Sequence, residues 1–318
     1  MRSAVNVVLV SAIVVLILVG CQIGTSQPST QSSDKDFAAF GALDVTRYPD
    51  SGLSSNEYVV YYPKNSVTQD MPVVVFLEGG GAKPQIDDYR GIMQFIASQG
   101  YYVIGAEQGQ SYDSSYAAKI VQDAIDAATQ DYGLTLNKIA VMGHSQGGGQ
   151  AFYVMKYLQG QGYGAQGSLT LSLDGWFAFS MNMEDLQVLQ GDVGFVQMNG
   201  LEGTGTDPRI NLTIWNLVTQ TRRHFFTLPE NDHYYVAGDV SNKSDIRRLI
   251  GASLYDAFTG GRLGYDAIPP ENKTTYDAIK QALKEKNAYG EGDCAGDQYD
   301  ARYTLDNNDI DYCDFEAI

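Results

Sequence analysis

The sequence predicts an α/β fold built on a doubly wound, mainly parallel sheet. Short apolar runs bounded by turn residues alternate with segments of helical periodicity along the middle of the chain. Several runs are apolar throughout, which is typical of central strands covered on both faces. Residues 116–129 instead place their apolar side chains on one helical stripe. The expected strands are Tyr58–Tyr62, Val73–Leu77, Tyr102–Ile104, Ile139–Met142, Leu169–Leu173, Phe195–Met198 and Phe225–Leu228. The alternation predicts one α/β domain over residues 39–265.

The composition narrows the classes of function. Of the 318 residues, 44% are hydrophobic, which is enough to fill a sizeable core and excludes general disorder. Lys and Arg number 21 against 38 Asp and Glu, a formal charge of −17. A surface this acidic repels phosphate backbones and anionic headgroups. We therefore expect no nucleic acid partner and no membrane binding through surface charge.

The first 20 residues have the layout of a secretory signal peptide, with a basic start and an apolar run that ends in Gly20. Residues 18–21, with the sequence L-V-G-C, resemble the lipobox of bacterial lipoproteins, in which the cysteine is lipidated. The resemblance implies an exported protein anchored to the bacterial cell envelope through Cys21, and Gln22 implies the outer membrane. The alternatives are an ordinary signal peptide and a membrane-spanning helix, for which the run is short. Residues 21–38 are rich in Ser, Thr and Gln and predict a flexible tether.

Residues 266–318 predict a C-terminal extension, an amphipathic helix over 274–287 followed by an acidic tail. Cys294 and Cys313 could form one disulfide in an oxidising compartment, with two free thiols as the alternative. The run DNNDID at 306–311 carries oxygen ligands that suit Ca²⁺, but it lacks the spacing and glycine of an EF-hand loop. We expect a solvated tail and no metal.

Gly143–Gly147, with the sequence GHSQG, is the candidate site of a nucleophile. It follows an apolar run and precedes a predicted helix, so Ser145 would lie on a sharp turn at the carboxyl edge of the sheet. GHSQGGGQA resembles the nucleophile turn of the α/β-hydrolase superfamily, above all that of cutinase-like and polyester hydrolases, dienelactone hydrolases and chlorophyllase-type esterases. The alternative is an ordinary glycine-rich turn.

A serine hydroxyl needs a base, and the chain has three histidines. His144 belongs to the turn itself, and its side chain is expected to point away from Ser145. His224 opens an apolar run, which favours a role at a strand end or in the core. His233 lies just past the last predicted strand, where the superfamily keeps its base, so the resemblance implies His233 as the base toward Ser145.

The acid that would orient His233 is less well marked. Asp207 and Glu202 both follow the run Phe195–Met198, and we favour Asp207 because G-T-D-P resembles the acid loops of other α/β hydrolases. The cutinase-like pattern E-x-D-x-x-x-P, aligned on Glu202, places a threonine where the acid should be. Asp232 is expected to be solvated or to form a turn.

The segment after Val73–Leu77, E-G-G-G-A, predicts donors for an oxyanion, because its glycines permit close backbone approach. The resemblance implies the N–H groups of Gly80 and Gln146 as the oxyanion hole. The family usually has His or Pro where this chain has Glu78, and a carboxylate pointing inward would oppose the oxyanion. We therefore expect Glu78 to turn outward. A phosphate-binding glycine loop is the alternative, but the Lys-Ser/Thr tail is missing.

Trp176 follows the predicted strand Leu169–Leu173, where cutinase-like polyester hydrolases place a tryptophan as one wall of the acyl cleft. A core tryptophan is the alternative. Residues 177–192 are too few for a large lid, which favours an open cleft for bulky or polymeric esters. Met142 and Met198 could contact substrate, although a core role is the default for both.

Together these observations predict an exported, lipid-anchored serine esterase with Ser145, Asp207 and His233 as its catalytic residues. By resemblance the substrate is a carboxylic ester, either a short-chain acyl ester or a polyester, and no cofactor is needed. A thioesterase, an acyltransferase or a peptidase could use the same residues. A non-catalytic surface-binding lipoprotein is a further alternative, because the acid loop departs from the family pattern.

Overall fold

The computed structural model describes residues 35–49, 58–80, 85–109, 111–198, 206–229, 231–285 and 310. The predictions for the signal peptide, Cys21, Cys294, Cys313 and nearly all of the acidic tail lie outside these residues. The folded body already includes Phe37 and Ala38, which are buried. The predicted end of the tether at residue 38 is therefore too late, because Phe37 packs in the core against Tyr255. No helix within the described ranges is long and apolar enough to cross a membrane.

A single sheet of nine strands runs through the described body. The strands are β1 Val45–Tyr48, β2 Tyr58–Pro63, β3 Val73–Leu77, β4 Tyr102–Ala106, β5 Lys138–His144, β6 Gly167–Leu173, β7 Asp192–Met198, β8 Arg222–Leu228 and β9 Lys273–Thr274. Their order is β1-β2-β4-β3-β5-β6-β7-β8-β9. The six central strands, β4, β3, β5, β6, β7 and β8, are parallel to one another. At one edge β1 pairs antiparallel with β2, and β2 pairs antiparallel with β4. At the other edge β9 pairs antiparallel with β8. The predicted mainly parallel α/β fold is confirmed.

Helices cover both faces of this sheet. They are α1 Arg90–Ser98, α2 Ser114–Tyr132, α3 Gln146–Gly160, α4 Met183–Gln187, α5 Pro208–Leu217, α6 Ser244–Thr259, α7 Leu263–Ala267 and α8 Tyr276–Glu285. Alternate residues of β3 enter opposite cores: Val73 and Val75 pack on the side of α2 and α3, whereas Val74 and Phe76 pack on the side of α1 and α6. Both faces of the strand are thus apolar, which explains its uniformly apolar sequence.

The carboxyl edge of the sheet brings several loops together. In the β5–β6 pair His144 lies opposite Leu173, so the next residues, Ser145 and Asp174, leave the sheet side by side. Between β6 and β7 the chain forms only the five-residue helix α4, so this connection is short. The segment after β8 reaches the same edge, because β8 runs parallel to β7.

Candidate active site

Ser145 lies on a strained turn between β5 and α3. Its φ of 53° and ψ of −118° are rare for a residue with a side chain. The turn is fixed by two backbone hydrogen bonds, from Ser145 N–H to the Leu173 carbonyl at 3.0 Å and from Trp176 N–H to the Ser145 carbonyl at 2.9 Å. The side chain is half-buried and stands beside the amino terminus of α3, where the helix dipole favours negative charge.

The glycines on either side of Ser145 allow neighbouring backbone segments to pack closely against the turn. A Cβ at Gly143 would collide with the backbone of Gly147, and a Cβ at Gly147 would collide with the carbonyl oxygens of Leu77 and Glu78. Backbone atoms cannot move aside as side chains can. Only the smallest residues therefore fit two positions before and two positions after the serine.

His233 pairs with Asp174, not with the predicted Asp207. The distance between His233 Nδ1 and Asp174 Oδ2 is 2.5 Å, and the Asp174 side chain is fully buried. The second carboxylate oxygen of Asp174 accepts hydrogen bonds from Met198 N–H at 3.1 Å and from Gln197 Nε2 at 2.7 Å. Burial raises the pKa of Asp174 above its ordinary value, and the hydrogen bond from His233 opposes that shift. The carboxylate is thus held in one orientation against the imidazole.

Asp207 has a structural role instead. It is the N-cap of α5, where its side chain accepts a hydrogen bond from Arg209 N–H at 2.9 Å. It also forms a buried ion pair with the Arg209 guanidinium at 2.5 Å. Glu202, the other predicted acid, lies outside the described residues. Asp232 is exposed and accepts a hydrogen bond from Tyr234 N–H at 3.0 Å, so the expectation of a turn former is confirmed.

Sequence reasoning missed Asp174, although a signal was present. The residue comes directly after the apolar run of β6, at the strand end adjacent to Ser145. Its φ of 45° is a conformation that aspartate tolerates better than most residues. The family resemblance instead placed the acid in the loop after β7, where this sequence departs from the family pattern.

The other two histidines make separate contacts. His224 is the third residue of β8 and packs against Phe226 and Tyr265, with ring centroids 6.1 and 4.8 Å away. His144 is completely buried, and its two ring nitrogens contact Tyr89 Oη and the His233 carbonyl. The His144 and His233 rings are 4.5 Å apart.

The predicted oxyanion donors are neighbours in the structure. Gln146 is the first residue of α3, and a Cβ at Gly80 would collide with the Gln146 side chain, so the two residues are in close proximity. Ser145 Cβ lies 3.5 Å from the position that a Cβ on Gly79 would occupy. The loop after β3 (residues 78–80), called the oxyanion loop below because the sequence predicts oxyanion donors in it, therefore lies close to the serine. The direction of the Gly80 and Gln146 N–H groups toward an oxyanion stays a prediction.

Glu78 does not turn outward to solvent as expected. Its side chain is 2% exposed, and Oε1 accepts hydrogen bonds from Gln108 N–H at 2.9 Å and Gly109 N–H at 2.7 Å. Oε2 is buried without a hydrogen-bond partner within the described residues. Burial raises the pKa of Glu78 to about 7, and the nearby charge of Glu107 adds to this shift. The carboxyl group joins the loop after β3 to the loop after β4.

Trp176, whose backbone N–H is bonded to the Ser145 carbonyl, belongs to a cluster of aromatic side chains. Trp176 is half-buried and lies 6.3 Å from Tyr112 and 6.2 Å from Phe179, measured between ring centroids. Tyr112 and Phe179 are 5.4 Å apart. Tyr112, which sequence reasoning missed, is 36% exposed and comes from the loop after β4. Trp176 is adjacent to Ser145 through the hydrogen bond between their backbones, and its role as a wall of the acyl cleft stays a prediction.

The two methionines considered as substrate contacts, Met142 and Met198, are fully buried in the core on the α1 and α6 side.

In the ranges that the structure describes, no group of three or more His, Cys, Asp or Glu side chains is arranged to hold a metal ion. The site thus consists of a serine, an imidazole paired with a carboxylate, a glycine loop and an aromatic cluster.

Comparisons with known proteins give no assignment. No protein-family model matches the chain, and a search of curated protein sequences finds no relative.

Proposed function

We propose that this chain is a serine hydrolase of carboxylic esters with an α/β-hydrolase fold. The observation that carries the proposal is the placement of the His233–Asp174 pair at the same sheet edge as Ser145, on its strained turn. A nucleophile, a base and a carboxylate that orients the base are the three parts of a catalytic triad. The strand order supports the fold, because the nucleophile follows β5 and the histidine follows β8.

The residues have distinct roles in this mechanism. His233 Nε2 takes the proton of Ser145 Oγ as that oxygen attacks the ester carbonyl carbon. Asp174 accepts a hydrogen bond from His233 Nδ1–H without taking its proton, and it stabilises the imidazolium that forms. The resulting oxyanion is stabilised by the N–H groups of Gly80 and Gln146. Protonation of the leaving oxygen by His233 breaks the ester bond, releases the alcohol and leaves an acyl group on Ser145.

A water molecule completes the cycle. His233 removes its proton, the hydroxide oxygen attacks the acyl carbon, and the Ser145 oxygen leaves with the proton that His233 returns. The same machinery would serve a thioester or an activated amide. The ester is favoured by the resemblance of the sequence to esterases. The aromatic pair Trp176 and Tyr112 and the single five-residue helix between β6 and β7 suit a bulky acyl group. Short-chain acyl esters and polyesters are the proposed substrates.

The non-catalytic alternative rested on the imperfect acid loop. The Asp174 carboxylate weakens that objection, since His233 has a buried anionic partner without any residue of that loop.

Export and lipid anchoring through Cys21 belong to the same proposal. Replacement of Cys21 by serine should move the expressed protein from the membrane fraction to the soluble fraction, and continued membrane association would contradict anchoring at this residue.

The test of the hydrolase combines labelling with turnover. Wild type should react with a fluorophosphonate probe and hydrolyse p-nitrophenyl acetate, whereas Ser145→Ala should lose labelling and about three or more orders of magnitude in kcat. Ser115→Ala, which alters an exposed serine of α2, is the matched control and should behave as wild type. Equal labelling of Ser145→Ala and the control would refute the proposal.

A further inference from the structure

A buried chain of hydrogen bonds connects the oxyanion loop to the loop of the base. The N–H of Gly79 donates to Tyr89 Oη at 3.1 Å, and Tyr89 Oη lies 2.7 Å from His144 Nδ1. His144 Nε2 lies 2.6 Å from the backbone carbonyl oxygen of His233. Tyr89 and His144 are both fully buried.

The partners at the two ends fix the direction of every proton in this chain. A carbonyl oxygen can only accept, so the His144 Nε2 atom must carry a hydrogen. Burial and the neighbouring His233 lower the pKa of His144 well below its usual value, so the ring is neutral and Nδ1 accepts. Burial likewise raises the pKa of Tyr89, whose hydroxyl therefore keeps its proton and donates it to Nδ1. The Tyr89 oxygen then accepts from Gly79.

Each end of the chain is adjacent to a group that the proposed reaction needs. Gly79 directly precedes Gly80, so a fixed Gly79 N–H restrains the turn that presents the Gly80 amide. At the other end, the held carbonyl restrains the backbone of His233, whose imidazole is paired with Asp174. The His144 ring also packs against the His233 ring with centroids 4.5 Å apart.

We infer that His144 and Tyr89 are positioning residues that hold the oxyanion loop and the base in register with each other. The inference rests on the proposed hydrolase function. Apolar side chains of similar size would fill the same space without the cost of burying polar groups, so packing alone does not account for this chain. A single buried network of defined direction places both loops around Ser145.

Four variants in two matched pairs test the inference. His144→Phe and Tyr89→Phe break the chain at different bonds. His224→Phe alters a histidine remote from the site, and Tyr61→Phe removes another buried hydroxyl, the one that accepts from Arg47 Nε. Melting temperature, kcat and KM toward p-nitrophenyl acetate are measured for each.

We expect both site variants to lose about 10- to 100-fold in kcat, with KM changed by less than about threefold, because small misplacements cost rate more than binding. The two controls should keep the kcat of wild type even where their melting temperatures fall. His144→Gln, whose amide can still donate where Nε2–H lies, should recover part of the lost kcat. Losses in kcat that only parallel the losses in melting temperature across all four variants would overturn the inference.

A readout independent of turnover separates this inference from the proposed function. The proton between His233 Nδ1 and Asp174 should give a low-field NMR signal in wild type and in Tyr61→Phe, and that signal should broaden or vanish in His144→Phe. If wild type neither labels nor hydrolyses esters, the proposed function fails, while this signal still decides whether His144 positions His233. An unchanged signal in folded His144→Phe would refute the positioning role.

Discussion

Replacement of Glu78 by glutamine should make the protein more stable relative to wild type as the pH rises. The Glu78 carboxyl is 2% exposed, and only one of its two oxygens has partners in the described part of the chain. Ionisation there places a negative charge in a site with little solvation. A glutamine side chain has nearly the same shape, and its oxygen can accept the same hydrogen bonds from Gln108 and Gly109 N–H.

The magnitude follows from the shift in pKa. Burial raises the pKa of Glu78 from 4.5 to about 7. The folded state therefore binds this proton more tightly than the unfolded state does. Its contribution to stability is present below the unfolded pKa and is lost as the pH rises from about 4.5 through about 7. At about 1.4 kcal/mol per pKa unit, the loss is about 3 kcal/mol.

The assay is urea unfolding of wild type and Glu78→Gln, followed by circular dichroism at several pH values between 4.5 and 8. The free energy of unfolding of the variant minus that of wild type should increase by about 3 kcal/mol across this range, because all other groups titrate in both proteins. The two free energies can also differ by an amount that is the same at every pH, because one carboxylate oxygen is replaced by an amide nitrogen. This constant amount does not affect the expected increase with pH. Glu184→Gln, an exposed carboxyl of α4, is the control and should show no such increase.

The result that would refute this reasoning is a difference that stays constant with pH, or one that shrinks as the pH rises. Either outcome would mean that the Glu78 carboxyl is not held in a poorly solvated site in the folded protein.

Four further outcomes are expected. Asp174→Asn should lower kcat for ester hydrolysis by about three orders of magnitude or more. Asp207→Asn should instead lower the free energy of urea unfolding by about 3 kcal/mol, because it removes the anion from a buried ion pair, with kcat unchanged within about threefold; the reverse pattern would restore Asp207 as the acid. Gly147→Ala should lower the melting temperature strongly, since its Cβ collides with backbone oxygens, and a wild-type melting curve would contradict that geometry. Trp176→Ala should raise KM for p-nitrophenyl benzoate, which has a bulky acyl group, more than for p-nitrophenyl acetate, and an equal change for both would exclude a wall specific to bulky acyl groups.

The sheet could be predicted from sequence because its central strands are apolar on both faces. β3 is buried at every residue, and its sequence, VVVFL, leaves few other interpretations. β1 carries no such signal, since it is an edge strand whose residues are half-buried or exposed. β9 has only two residues and forms through its contact with β8. Such short, polar elements depend on tertiary contacts that no local pattern reports.

The candidate site was predictable where one motif determines local geometry. The glycines around Ser145 specify a turn by themselves, because larger residues would collide with the backbone. Asp174 was missed because its role depends on the register between β5 and β6, which the sequence does not state. The contacts of Tyr89 and Glu78 likewise join segments that are separated along the chain. Tyr89 contacts both Gly79 and His144, and Glu78 contacts Gln108.

The position of Asp174 has a consequence for how related chains are recognised. Under the proposed mechanism the orienting carboxylate comes from the end of β6, so related chains could carry the same triad without an acidic residue between β7 and α5. A search template that requires an acidic residue after the seventh strand would discard such sequences, whereas one that accepts an aspartate right after the sixth would retain them.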